Sequence, residues 1–187
     1  MRDEPDGEII AASLLEPARF EAIFERHFDA ILRYALRRIG PAGEEVAAET
    51  FVVAFAKRAL FRPGASSARA WLYGIATLEI HRHLRDERTY LRLRGRMPID
   101  LSPPEPGDPA RLQAMEAAPV LVAELLKMSP GDRDAFLLLA LGDLSYFEIS
   151  EALGIPPGTV RSRIHRVRSQ LRELFGLHMA IGNDEHA

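Results

Sequence analysis

The chain has 187 residues, 47% of them hydrophobic and 27% charged, with a formal net charge of −3 and no cysteine. That length holds one large domain or two small ones, and the apolar content supports a packed core, which excludes wholesale disorder. The missing cysteines exclude a disulfide framework and a thiolate zinc site, and the acidic balance excludes a uniformly basic coat, so any nucleic-acid surface must come from local segregation of charge.

Residues 1–16 read as a loose acidic lead-in, and MRDEPDGEII lacks the apolar stretch of a signal peptide. No run of about 18 apolar residues occurs, so no membrane insertion is expected and the predicted location is cytoplasmic. Phe20, Ile23, Phe24, Phe28, Ile31, Tyr34, Ala35 and Ile39 recur at helical spacing until Gly40-Pro41 stops them. A second helix is predicted over 44–60, with Val46, Phe51, Val52 and Phe55 inside it. The loop Arg62 to Ser67 follows, and a third helix starts near Ala68 and continues past Arg88. Between Ala70 and Ile80 it is apolar nearly all round, the expected buried centre of this half.

Beyond Ile80 the same helix turns basic, with His81, Arg82, His83, Arg85, Arg88, Arg92, Arg94 and Arg96. Arginine forks suit phosphates and base edges. Of the flanking aromatics, Trp71 opens the apolar run and reads as core, whereas Tyr73 and Tyr90 are either core or platforms for unpaired bases. From Pro98 to Pro109 there are five prolines, three acids and no basic residue, the composition of a tether. Helices resume over 110–128 and again after Ser129, a cap that places Asp132 on the positive end of the next helix. Residues 176–187 read as a tail.

The densest signal lies at 145–172, SYFEISEALGIPPGTVRSRIHRVRSQLR. Ser145 and Glu148 form a capping box, Gly154 suits a left-handed helix end, and Pro157 suits the first turn of the next helix. On that second helix Val160, Ile164, Val167 and Leu171 share one face, while Gly158, Ser162, His165, Arg166 and Ser169 lie opposite and Arg161, Arg168 and Arg172 hold a flank. Five arginines and no acid fall between Pro157 and Arg172. This is a helix-turn-helix whose second helix suits the major groove of DNA. The expected fold is all-α, with two small helical modules over 18–96 and 111–175, a flexible acidic proline-rich linker over 97–110, and the tail over 176–187.

The segments FEAIFERHFDAILRYALRRIG, EEVAAETFVVAFAKRALF, ARAWLYGIATLEIHRHLR and LSYFEISEALGIPPGTVRSRIHRVR together resemble a bacterial RNA polymerase sigma factor of the extracytoplasmic-function class. The resemblance covers about residues 20–95 and 120–175. It implies an alternative sigma factor with core RNA polymerase, promoter DNA and an anti-sigma factor as partners, no cofactor, and no enzymatic activity. It places Glu45, Glu49 and Thr50 on the polymerase-docking helix. It places the loop from Arg62 through Ser66 and Ser67, with His83 and Arg85, at the −10 promoter element, and Arg161, Ser162, His165 and Arg166 at the −35 element. Arg88 of the basic run joins the expected −10 contacts, Thr159 joins the −35 contacts, and Arg168 on the flank of the recognition helix is expected at the −35 phosphates. The chain departs from the family's pattern at Ala48, Leu78 and Arg82.

Two other readings use the same residues. A one-component helix-turn-helix regulator independent of core polymerase needs a ligand or phosphoacceptor module, and the N-terminal half shows no alternation of strands and helices to build one. Glu79, His83 and Glu87 lie four apart and could ligate a metal, but ordinary pairing along a helix surface gives the same spacing. No metal site and no catalytic residues are expected.

Overall fold

The computed structural model describes residues 4–62, 67–94 and 120–175. Among these the architecture is helical throughout: α1 (Asp6–Ala12), α2 (Glu21–Ile39), α3 (Gly43–Lys57), α4 (Ala68–Arg94), α5 (120–127), α6 (Pro130–Ala140), α7 (Tyr146–Leu153) and α8 (Pro157–Phe175). No helix among the described residues is long and apolar enough to cross a membrane. The linker expected over 97–110 and the tail over 176–187 lie outside the described residues.

Helices α2, α3 and α4 form the first bundle. Ile23, Ile31, Tyr34 and Ala35 of α2 meet Val46, Ala47, Phe51 and Ala54 of α3, and Leu72, Ile75, Ala76 and Ile80 of α4 fill the space between. Burying each such aliphatic side chain contributes about 1.5–3 kcal/mol. Gly40 ends α2 at φ 63, in the region open to glycine.

The lead-in is not loose. Helix α1 buries Ile9 and Ile10 in this bundle, and the acids at and just before its start find cations. Asp6 accepts from His27 Nε2 at 2.6 Å and from Arg26 at 2.7 Å, and Glu4 accepts from Arg19 at 2.6 Å. The contact with His27, aided by Arg26, holds the Asp6 carboxyl below its ordinary range against the opposing effect of burial. The acidic pattern was a pairing pattern, invisible until the chain folds back on α2.

Helices α6, α7 and α8 form the second bundle, and their local signals hold. Ser129 caps α6 and Asp132 follows in its first turn. Ser145 and Glu148 form the full capping box of α7, Gly154 ends it at φ 62 and ψ 35, and α8 starts at Pro157. Val160, Ile164, Val167 and Leu171 are all buried. They serve two cores: Val167 and Leu171 pack with Leu125 and Phe136, whereas Val160 and Ile164 join Leu138, Leu144 and Ile149 in a cluster continuous with the first bundle.

The two bundles therefore share a seam. Helix α4 lies along α7, where a Cβ on Gly74 would come within 2.5 Å of the Ala152 carbonyl oxygen. Only glycine permits that approach, so this position sets how closely the bundles meet. The second bundle thus shares part of its core with the first.

Candidate nucleic-acid interface

The buried stripe of α8 fixes which side chains face outward. Arg161, Ser162, His165 and Arg166 are exposed along one side, Thr159 is half-buried at its start, and Ser162 Oγ donates to the Thr159 carbonyl at 3.0 Å. Five predicted −35 residues are thus brought onto one surface. Arg168 differs: it is half-buried, and its Nη1 donates to the Tyr146 hydroxyl at 3.3 Å. It ties α8 to the start of α7 rather than lying along an open flank.

Arg166 is held at its base. Its Nη2 donates to Asp132 Oδ1 at 2.6 Å and its Nε to Oδ2 at 3.3 Å. Beside it Arg163 donates to the Gly131 carbonyl at 3.4 Å. The Arg166 contact holds the Asp132 carboxyl below its ordinary range, and Asp132 in turn raises the Arg166 guanidinium.

The predicted −10 residues scatter. Arg62 and Arg85 are exposed and His83 is half-buried, whereas Ser66 and the side chain of Arg88 lie outside the described residues. Ser67 is occupied locally: its Oγ accepts from the Ala70 amide at 3.0 Å to cap α4, and its own amide donates to Glu151 at 3.2 Å. Tyr73 is buried at the seam and offers no stacking platform while the bundles lie together, and Trp71 packs on Phe61 with ring centroids 5.1 Å apart. Tyr90's side chain lies outside the described residues. Glu79 is paired with Arg82 at 3.0 Å.

Charge at the seam is complementary. Arg69 donates to the carbonyls of Gly142 and Asp143 at 2.8 and 2.7 Å, and its guanidinium lies 3.4 Å from Glu148. Deeper in, Asp134 of α6 accepts from Arg38 of α2 at 3.0 Å and meets His81 of α4 at 3.0 Å. Arg38 and Asp134 side chains are only 4% and 5% exposed, so these charges pair out of water. Burial pushes the Asp134 carboxyl upward, but the His81 contact and the Arg38 charge outweigh it and hold the group below its usual range. Arg38 also donates to the Tyr34 hydroxyl at 2.7 Å, beside Thr77. Sequence reasoning placed His81 in a cationic surface and gave Arg38 and Asp134 no role.

On the far side of the first bundle, α3 presents a third surface. Glu45 and Ala48 are exposed, Glu49 is half-exposed, and Val52 continues the same face at 60% exposure. Thr50 does not belong to it: it is fully buried and its hydroxyl donates to the Val46 carbonyl at 2.7 Å. Glu45, Glu49 and Val52 fall at i, i+4 and i+7 and so share one helical face, a phase that Thr50 does not keep.

Residues 23–90 match the family model for sigma-70 region 2, and residues 120–171 match that for sigma-70, region 4. The chain is 31% identical over 184 residues to the ECF RNA polymerase sigma factor SigE of Mycolicibacterium smegmatis, covering 94% of this chain and 70% of that protein. It is 31% identical over 170 residues to the ECF RNA polymerase sigma factor SigL of Mycobacterium tuberculosis, covering 89% and 94%. Among solved structures, CnrH in complex with the cytosolic domain of CnrY matches with a TM-score of 0.63 at 25% identity, over 92% of this chain and 98% of that one. The sigma factor RpoE in complex with the anti-sigma factor NepR from Bartonella quintana has the same fold, with a TM-score of 0.63 at 23% identity over 85% and 98%.

Proposed function

The chain belongs to the extracytoplasmic-function class of RNA polymerase sigma factors, and from that premise we propose how its surfaces divide the work. It is an alternative sigma factor that binds core RNA polymerase and directs promoter recognition and transcription initiation. An anti-sigma factor is its restraining partner.

The observation that carries the assignment is the outward row of α8 opposite a fully buried stripe. Thr159, Arg161, Ser162, His165 and Arg166 read the −35 element as duplex, with the arginines reaching base edges or phosphates in the major groove. Arg62, His83 and Arg85, with the loop up to Ser67 and the basic end of α4, hold the opened −10 strand. Opening costs about 1.4 kcal/mol of stacking per base step, and stacking or pocketing an unpaired base returns about 1–3 kcal/mol. Glu45, Glu49 and Val52 form the docking face for core polymerase.

This division requires the two bundles to part. The −10 and −35 elements lie about 25 base pairs apart, roughly 85 Å at about 3.4 Å per pair. Bundles that share a seam cannot reach both. The α3 face and the α8 row are exposed with the seam closed, so docking and −35 contact can begin before the bundles separate.

Transcription reconstituted from core polymerase, this protein and the chromosomal fragments it enriches tests the assignment. Specific transcripts and permanganate-reactive −10 bases are expected only with both proteins present. Sequence-specific opening by the isolated chain would contradict it, because a chain of net charge −3 with small basic surfaces lacks the phosphate attraction to do this alone.

A further inference from the structure

From the side-on fork between Asp132 and Arg166 we infer that Asp132 is a positioning residue for −35 readout, one that fixes the arginine through which a guanine is recognised. The inference rests on Arg166 being a base-reading residue, as proposed above.

A guanidinium carries five N–H donors on two usable edges. Asp132 takes the side edge, with Nη2 on Oδ1 at 2.6 Å and Nε on Oδ2 at 3.3 Å. The end edge, formed by Nη1 and the remaining Nη2 proton, has no partner among the described residues. Two parallel donors on that edge match the O6 and N7 acceptors of guanine in the major groove. Adenine offers N7 beside an amino donor and cannot accept both.

The carboxylate is itself fixed. Its backbone amide donates to the Ser129 cap at 3.2 Å, which anchors the first turn of α6. Arg163 braces the preceding residue by donating to the Gly131 carbonyl. Below, Phe136 of α6 and Val167 and Leu171 of α8 share a buried core, so the two helices move together. Arg166 is 54% exposed and Asp132 only 16% exposed, the relation expected of a presented group and its support. Without the carboxylate, a long flexible side chain must be ordered when DNA arrives, and its end edge has no preferred orientation.

The test uses holoenzyme binding to a set of single-base −35 variants with Arg166→Ala, Asp132→Asn and Asp132→Glu. Arg166→Ala should abolish the preference for guanine at one position. Asp132→Asn, which keeps shape and removes the charge, should lower that same preference by about fivefold or more, while binding to the variant lacking that guanine stays within about twofold. Asp132→Glu, which keeps a carboxylate, should restore part of it. Unchanged thermal unfolding of Asp132→Asn separates positioning from a damaged cap. If Arg166→Ala shifts no base preference, the base-reading assignment of Arg166 fails first. If Arg166→Ala abolishes the preference but Asp132→Asn retains it, or tightens binding to all sequences alike, Asp132 merely competes with DNA for the arginine and the inference is overturned.

Discussion

The outward row of α8 and the seam along α4 are both built on arginine, and they use it in opposite ways. On α8, Arg161 stands in solvent above an apolar stripe, and Arg166, though forked on Asp132, is still 54% exposed, both presented to a partner that is a polyanion. At the seam, Arg38 and Arg69 are consumed by the protein's own carboxylate and carbonyl oxygens. A basic residue on a helix therefore announces a need for negative charge, not its source. What separates the two cases is burial: the Arg38 and Asp134 side chains are only 4% and 5% exposed, and they meet across 96 positions of the chain, beyond any local pattern.

The difference also predicts different energetics. Exposed charges on α8 contribute little to folding and act when DNA arrives. Paired charges at the seam gain little net energy over solvation, but removing one partner strands the other, a change that costs about 3–5 kcal/mol for a buried pair. The apolar contacts close the seam, and the charges set its register.

The sharpest way to break the comparison is Asp134→Ala. Left without its partner, Arg38 should destabilise the closed arrangement by about 3–5 kcal/mol. The observable loss is capped by the free energy of parting the bundles, because separation returns Arg38 to water. The variant should therefore open rather than unfold, with helix content kept in circular dichroism and protease sensitivity increased between the bundles. Gly74→Ala is a charge-free companion, since its new Cβ meets the Ala152 carbonyl and pushes α7 away. Acid should act in the same direction. Asp134 titrates below its ordinary range when paired, so its contribution is present above about pH 4 and fades as pH falls through its lowered value. A seam that stays closed in Asp134→Ala and in acid, but opens in Gly74→Ala, would mean that packing alone holds it.

A smaller effect sharpens the other side. Ser145→Ala removes the capping box of α7 and should cost about 1 kcal/mol, read as a lower midpoint in urea unfolding. Its effect on −35 binding should be uniform across base variants, because the cap supports the helix-turn-helix without touching the outward row of α8.

The helix-turn-helix was legible because every signal for it is local: a cap three residues from its partner, a glycine at a left-handed turn, and an apolar period on one helix. The same logic located the buried run of α4. Features set by distant pairing were not legible. The acids of α1 read as solvated until Arg19, Arg26 and His27 were brought to them, and Ile9 and Ile10 alone made too short an apolar signal. Thr50 was assigned outward because family position outweighed helical phase, and Arg168 was assigned to the phosphate flank because Tyr146 was not known to reach it. The seam itself is disguised by small residues, since Gly74 and Ala152 carry no pattern beyond their size.

The bundles lie together in the chain alone and separate to read two promoter elements, a change that a pair of probes can follow. The chain has no cysteine, so Asp29→Cys in α2 and Glu173→Cys in α8, both exposed, can carry a pair of probes without background labelling. Distances between them should be compared in the isolated protein and in holoenzyme bound to promoter DNA. A single distance is expected in the isolated protein, replaced on the promoter by one several tens of ångströms longer. An unchanged distance in the promoter complex would contradict it.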